Sequence, residues 1–67
     1  MNIRGDQLAY DYYNIACAYA RNGNQKMALE YVRKSLKADE KFKKDIRKDS
    51  DLKPLWRDRE FIALTSE

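Results

Sequence analysis

Three sets of side chains in this chain could carry chemistry. The first is a thiol. Cys17 is the sole cysteine, and a reactive thiolate needs a neighbouring cation or base. The only cation at helical spacing is Arg21, and the residues around Cys17 are Ala and Tyr, so it reads as a small packing residue. The second set is carboxylates. Asp11, Asp45 and Glu60 could be paired on paper as general acid and base, but the chain has no histidine and no nucleophile with a base beside it. The third set is basic. Lys34, Lys37, Lys41, Lys44 and Lys48 recur at steps of three and four, with Phe42 nearby, and on one continuous helix they would form a stripe that binds phosphates with steep salt dependence. Asp39, Glu40 and Asp45 interleave with these lysines, which favours a solvated helix face. One cysteine and no histidine allow neither an internal disulfide nor a zinc site, and no cofactor motif is present. No catalysis and no metal are expected.

Composition narrows the classes further. The chain has 67 residues, 37% of them charged and 43% hydrophobic, a balance too apolar for a disordered tail and too charged for a membrane protein. A domain of about 60 residues buries only roughly 60% of its unfolded surface, so outside support is expected: self-association or membership in a longer array. The net charge of +3 is uneven. Residues 33–48 carry eight basic and three acidic groups, leaving the rest of the chain net negative. No run is long and apolar enough to span a bilayer, and residues 1–6 are not followed by the apolar stretch of a secretory signal. A lone cysteine among small residues fits a reducing, cytoplasmic setting.

The elements that must position these groups are helical. From Gln7, with Asp6 as N-cap, the stripe Leu8, Tyr12, Ile15, Ala16 and Tyr19 recurs at helical spacing and marks the expected packing face. Ala16, Ala18 and Ala20 keep the surface small enough for close approach of a neighbour. Asn22-Gly23-Asn24 breaks the pattern: Gly23 can take the left-handed conformation and Asn24 can cap a second helix. That helix is expected over Gln25–Ala38, with the stripe Ala28, Leu29, Val32 and Leu36 and Ser35 as a small contact. A turn so short forces an antiparallel hairpin. A short helix over Glu40–Lys48 follows, then a turn at Asp49-Ser50-Asp51. Pro54 falls where the first turn of a helix tolerates it, and Asp58 caps a last helix over Arg59–Leu64. Nothing alternates with period two for long enough to suggest a strand. The expected fold class is all-α.

Residues 9–42 resemble one tetratricopeptide (TPR) repeat, a unit of about 34 residues. The run Tyr12-Tyr13-Asn14-Ile15-Ala16-Cys17-Ala18-Tyr19-Ala20-Arg21-Asn22-Gly23-Asn24 is similar to the first TPR helix and its turn. Ala28, Leu29, Tyr31, Val32, Ser35 and Leu36 are similar to the second, with Ala28 at the family's near-obligatory alanine. Two departures stand out. Asp39-Glu40 replaces the proline that often ends the second helix, leaving room for it to run on. Ser35 replaces a commoner alanine, an exchange that works if its hydroxyl bonds a carbonyl one turn back. Residues 49–64 resemble the ending found after the last repeat of many bacterial TPR proteins, with Ser50, Trp56 and Arg59 as departures. The resemblance implies a lead-in over residues 1–8, a TPR hairpin over 9–42 and C-terminal capping helices over 43–67. Such a unit, with one or two short C-terminal helices, belongs to the right-handed α-α superhelix type, either as a whole small protein or as the last piece of a larger one. Trp56 is expected to pack on the second helix.

In that family the first helix lines a groove that grips peptides or partner helices. The resemblance places Tyr10, Tyr13, Asn14, Cys17 and Arg21 at the groove-facing positions, and implies a non-catalytic interaction module. Its expected partners are a peptide, a protein or a second copy of the chain. The alternative reading is a basic helical domain that binds nucleic acid or acidic surfaces through residues 33–48.

Overall fold

A computed structural model describes residues 5–66, with side chains from residue 7 onward. All regular structure among the described residues is helical: α1 (Gly5–Arg21), α2 (Gln25–Ala38), a 3-10 turn (Glu40–Phe42), α3 (Lys43–Lys48), a 3-10 segment (Ser50–Leu55) and α4 (Arg59–Thr65). Asp6 has helical backbone and therefore lies inside the first turn of α1, not ahead of it as its N-cap. Its side chain lies outside the described residues.

The α1–α2 turn follows from Gly23. Its φ of +82° is a conformation that L side chains adopt only under strain, and no other described residue needs it. The Asn24 N–H donates to the Tyr19 carbonyl at 2.9 Å and the Gly23 N–H to the Ala20 carbonyl at 3.1 Å, which pairs the end of α1 in a Schellman arrangement. The Asn24 side chain then accepts from the Met27 N–H at 3.1 Å and starts α2. Three residues thus reverse the chain.

The two helices meet through small residues. Ala9, Ala16 and Ala20 of α1 and Ala28 and Ser35 of α2 are all buried. The Ser35 hydroxyl donates to the Ala9 carbonyl at 2.8 Å, so it bonds across the interface and not one turn back along its own helix. This contact changes the expected packing face of α1. The inward residues are Ala9, Ala16, Ala20 and Cys17, with Tyr13 half-buried, whereas Leu8 and Ile15 are 36% and 38% exposed. The face sits roughly a quarter-turn from the stripe of bulky residues. Close approach selects alanines for the crossing and leaves the larger side chains at its edge.

α2 stops at Ala38 and does not run on. Asp39 is extended (φ −160°, ψ 105°), donates its N–H to Ser35 and accepts the Lys41 N–H on its side chain. The chain then folds back along the hairpin. Ile46, Leu52, Leu55 and Phe61 are buried and complete a core with Val32 and Leu36. Pro54 lies at the fifth position of the 3-10 segment rather than in the first turn of a helix. Asp58 accepts from Glu60 at 2.8 Å and Phe61 at 3.1 Å, and α4 extends one residue past Leu64 to Thr65. Trp56 is more than a third exposed, with the Lys53 ammonium 5.8 Å from its ring; Leu55 takes the buried place.

Candidate functional site

Arg21, Cys17 and Tyr13 lie at four-residue intervals along α1 and share the side against which the Ser50–Leu55 segment packs. Asp49 begins that segment: one carboxylate oxygen accepts the Asp51 N–H at 2.8 Å and the other accepts the Tyr13 hydroxyl. Asp51 lies on Arg21, 3.0 Å from the guanidinium. Between these two contacts sits Cys17, 6% exposed. Burial, and then the Asp51 charge, push its thiol above the usual range, against the opposing effect of Arg21. A protonated, enclosed thiol is a poor nucleophile.

Of the five groove positions, the structure therefore spends three on the chain's own C-terminal arm. Cys17 has no surface left for a partner. Tyr13 is half-buried and its hydroxyl is engaged, and Arg21 is exposed but ion-paired. Tyr10 is 50% exposed and packs against Tyr13 and Phe42, with ring centroids 6.3 and 6.4 Å apart. Asn14 is exposed. The composition of the first helix gave no sign of Asp49 and Asp51 as the partners of this face. The signal lay 30 and 36 residues away, in an acidic turn.

The Cys17 sulfur and the Asp49 and Asp51 carboxylates lie within 4.8 Å of one another, a spacing compatible with metal ligands. Their hydrogen bonds describe a different role. Both oxygens of Asp49 already accept hydrogen bonds, Asp51 faces a guanidinium, and the thiol is held protonated. The group holds the C-terminal arm to α1.

The basic stretch does not form one stripe. Asp39 breaks the helix, so Lys34 and Lys37 lie on α2, Lys41 in the 3-10 turn, and Lys44 and Lys48 on α3. Phe42 packs 6.2 Å from the Tyr13 ring rather than beside the lysines as a stacking platform. Asp11 and Asp45 are exposed on α1 and α3, and Glu60 pairs with Arg33, so the three carboxylates build no common site.

The side of the hairpin turned away from the C-terminal arm is apolar. Leu8, Tyr12, Ile15 and Tyr19 recur on α1 at spacings of three and four, and Tyr31 of α2 lies beside them. The Tyr31 ring is 5.8 Å from Tyr12 and 5.7 Å from Tyr19, stacked on the latter. The Lys34 ammonium lies 5.9 and 5.4 Å from the Tyr12 and Tyr31 rings. A shallow cleft of about 230 Å³ opens there, lined by Leu8, Tyr12, Lys34, Lys37 and Ala38. Sequence periodicity picked out these α1 residues but assigned them to the interior.

No protein-family model matches the chain, and no curated protein or solved structure is detectably similar to it. No described helix is long and apolar enough to cross a membrane.

Proposed function

We propose that the chain is a non-catalytic, TPR-like helical interaction module that works through the outer face of its hairpin. The observation that carries this reading is the stripe Leu8–Tyr12–Ile15–Tyr19 with Tyr31: five large side chains on adjacent helices, Leu8 and Ile15 more than a third exposed and the three tyrosines half-buried, on the side away from the C-terminal arm. Contiguous apolar surface of this kind marks a place where another polypeptide is covered. Asp49 and Asp51 occupy the Tyr13–Cys17–Arg21 part of the expected groove side, and the surface proposed for binding is the opposite side of α1. The TPR-like part of the proposal is supported by the antiparallel hairpin, the alanine-lined crossing and the Gly23 turn.

The test pairs sedimentation with site-directed cross-linking. A photoreactive residue at Ile15 is expected to capture a polypeptide, a second copy or a partner, whereas one at exposed Arg57 captures none. A chain that stays monomeric at high micromolar concentration and yields no polypeptide adduct from Ile15 overturns the proposal.

A further inference from the structure

The outer face has a direction of charge, and that direction specifies its occupant. On the α2 border stand Lys34 and Lys37, three residues apart, so they lie on neighbouring parts of one helix surface. Among the described residues neither ammonium has a carboxylate partner, in contrast to Arg21 and Arg33, which are both paired. Both lysines line the same cleft, whose remaining walls are Leu8, Tyr12 and Ala38. The border on the other side of α1 carries Asp11, three residues after Leu8 and four before Ile15. From Leu8 to Tyr19 the stripe runs about 16 Å, the length of roughly three helical turns.

Resting on the interaction reading above, we propose that this face binds an acidic amphipathic helix of another protein. The partner's apolar stripe lies along Leu8, Tyr12, Ile15 and Tyr19. Two acidic residues, three or four apart on its flank, meet Lys34 and Lys37. Asp11 sets the orientation, because it repels an acidic flank on the opposite border. The apolar stripe supplies the burial, and the charges choose partner and direction. A second copy fits less well: it brings the same lysines and a net charge of +3.

The experiment uses the full chain and two fluorescein-labelled 15-residue helical peptides. Both have leucines at spacings of three and four; one is flanked by glutamates and the other by lysines. The glutamate peptide is expected to bind, and anisotropy should show its affinity falling as salt rises. The double substitution Lys34→Glu and Lys37→Glu should weaken it at least about tenfold. Lys44→Glu with Lys48→Glu, which keeps the same net charge change away from the cleft, should leave most of the affinity. Circular dichroism of each variant reports whether the fold persists. Equal binding of both peptides overturns the proposal, as does equal weakening by the two double variants. If neither peptide binds while the chain self-associates through Ile15, the occupant is a second copy: this proposal fails and the interaction reading stands. Failure of both peptides together with a monomer that cross-links nothing overturns both. Binding to vesicles of phosphatidylcholine with 30% phosphatidylserine, lost on Ile15→Glu and without binding to either peptide, replaces the helix with a lipid surface.

Discussion

The Tyr13 hydroxyl donates to the carboxylate of Asp49, 36 residues further along the chain. This bond joins the middle of the first helix to the turn that starts the C-terminal arm. It lies on the face of α1 that the C-terminal arm covers. Arg21 and Asp51 repeat the connection two helical turns away from Tyr13, and Cys17 is enclosed between them. The opposite face, with Leu8 and Ile15, stays open.

The Tyr13–Asp49 bond is expected to stabilise the chain measurably. A hydrogen bond to a charged acceptor contributes about 1.5–3 kcal/mol when enclosed, and this one is half-buried, so Tyr13→Phe should cost about 1–2 kcal/mol in urea unfolding. Arg21→Ala breaks an exposed ion pair and should cost less than about 1 kcal/mol. If Arg21→Ala proves the more damaging, the hierarchy of the two contacts is reversed.

Gly23→Ala should destabilise the hairpin by about 1 kcal/mol, because the αL conformation at this position disfavours a side chain. A Cβ there meets nothing within 4 Å, so the cost is conformational and not steric. Gly23→Asn should cost less than Gly23→Ala, since asparagine tolerates this region better. Thermal melts of the two variants give the order.

Ser35 separates packing from hydrogen bonding. Ser35→Ala keeps the close helix crossing and gives up the bond to the Ala9 carbonyl, a loss of about 1 kcal/mol. Ser35→Leu adds bulk at a fully buried position that faces the Ala9 backbone, and should cost roughly 2–3 kcal/mol or unfold the chain. Similar losses from the two variants would contradict a tight crossing.

Cys17 gives the chain an alkaline sensitivity. Its thiol is raised in the fold, so folding favours the protonated form. That contribution is fully present below the free thiol's pKa of about 8.5 and is lost as pH rises through the higher folded value. Wild-type stability should therefore decline more steeply than that of Cys17→Ala as pH rises above about 8.5. Parallel pH profiles for the two proteins would contradict an enclosed thiol.

Much of the backbone was legible because its signals are local. Gly23, Asn24 and Asp58 act on groups within a few residues, and the start of α2 and the cap of α4 follow from them. The facing of α1 was not legible in the same way. Periodicity weights bulk, and Leu8, Tyr12, Ile15 and Tyr19 outweigh alanines in any such reading. A close crossing reverses that weight, and the Ser35–Ala9 bond that fixes it spans 26 residues. The candidate site shifted for the same reason. Tyr13, Cys17 and Arg21 share one side of α1, where this chain's own Asp49 bonds Tyr13 and its Asp51 bonds Arg21. Lys34–Lys48 keep the spacing of one helical stripe in the sequence, but Asp39 ends α2 and divides the lysines among separate elements.

The claim that the outer hairpin face is the interaction surface is tested most directly by backbone-amide NMR of the uniformly ¹⁵N-labelled chain. Spectra would be recorded on dilution and on addition of the glutamate-flanked helix. Shifts are expected to be confined to Leu8, Tyr12, Ile15, Tyr19, Tyr31, Lys34, Lys37 and their neighbours. Shifts centred on Trp56 and Ile62, or on Tyr10 and Asn14, with the hairpin's outer face unmoved, would contradict it.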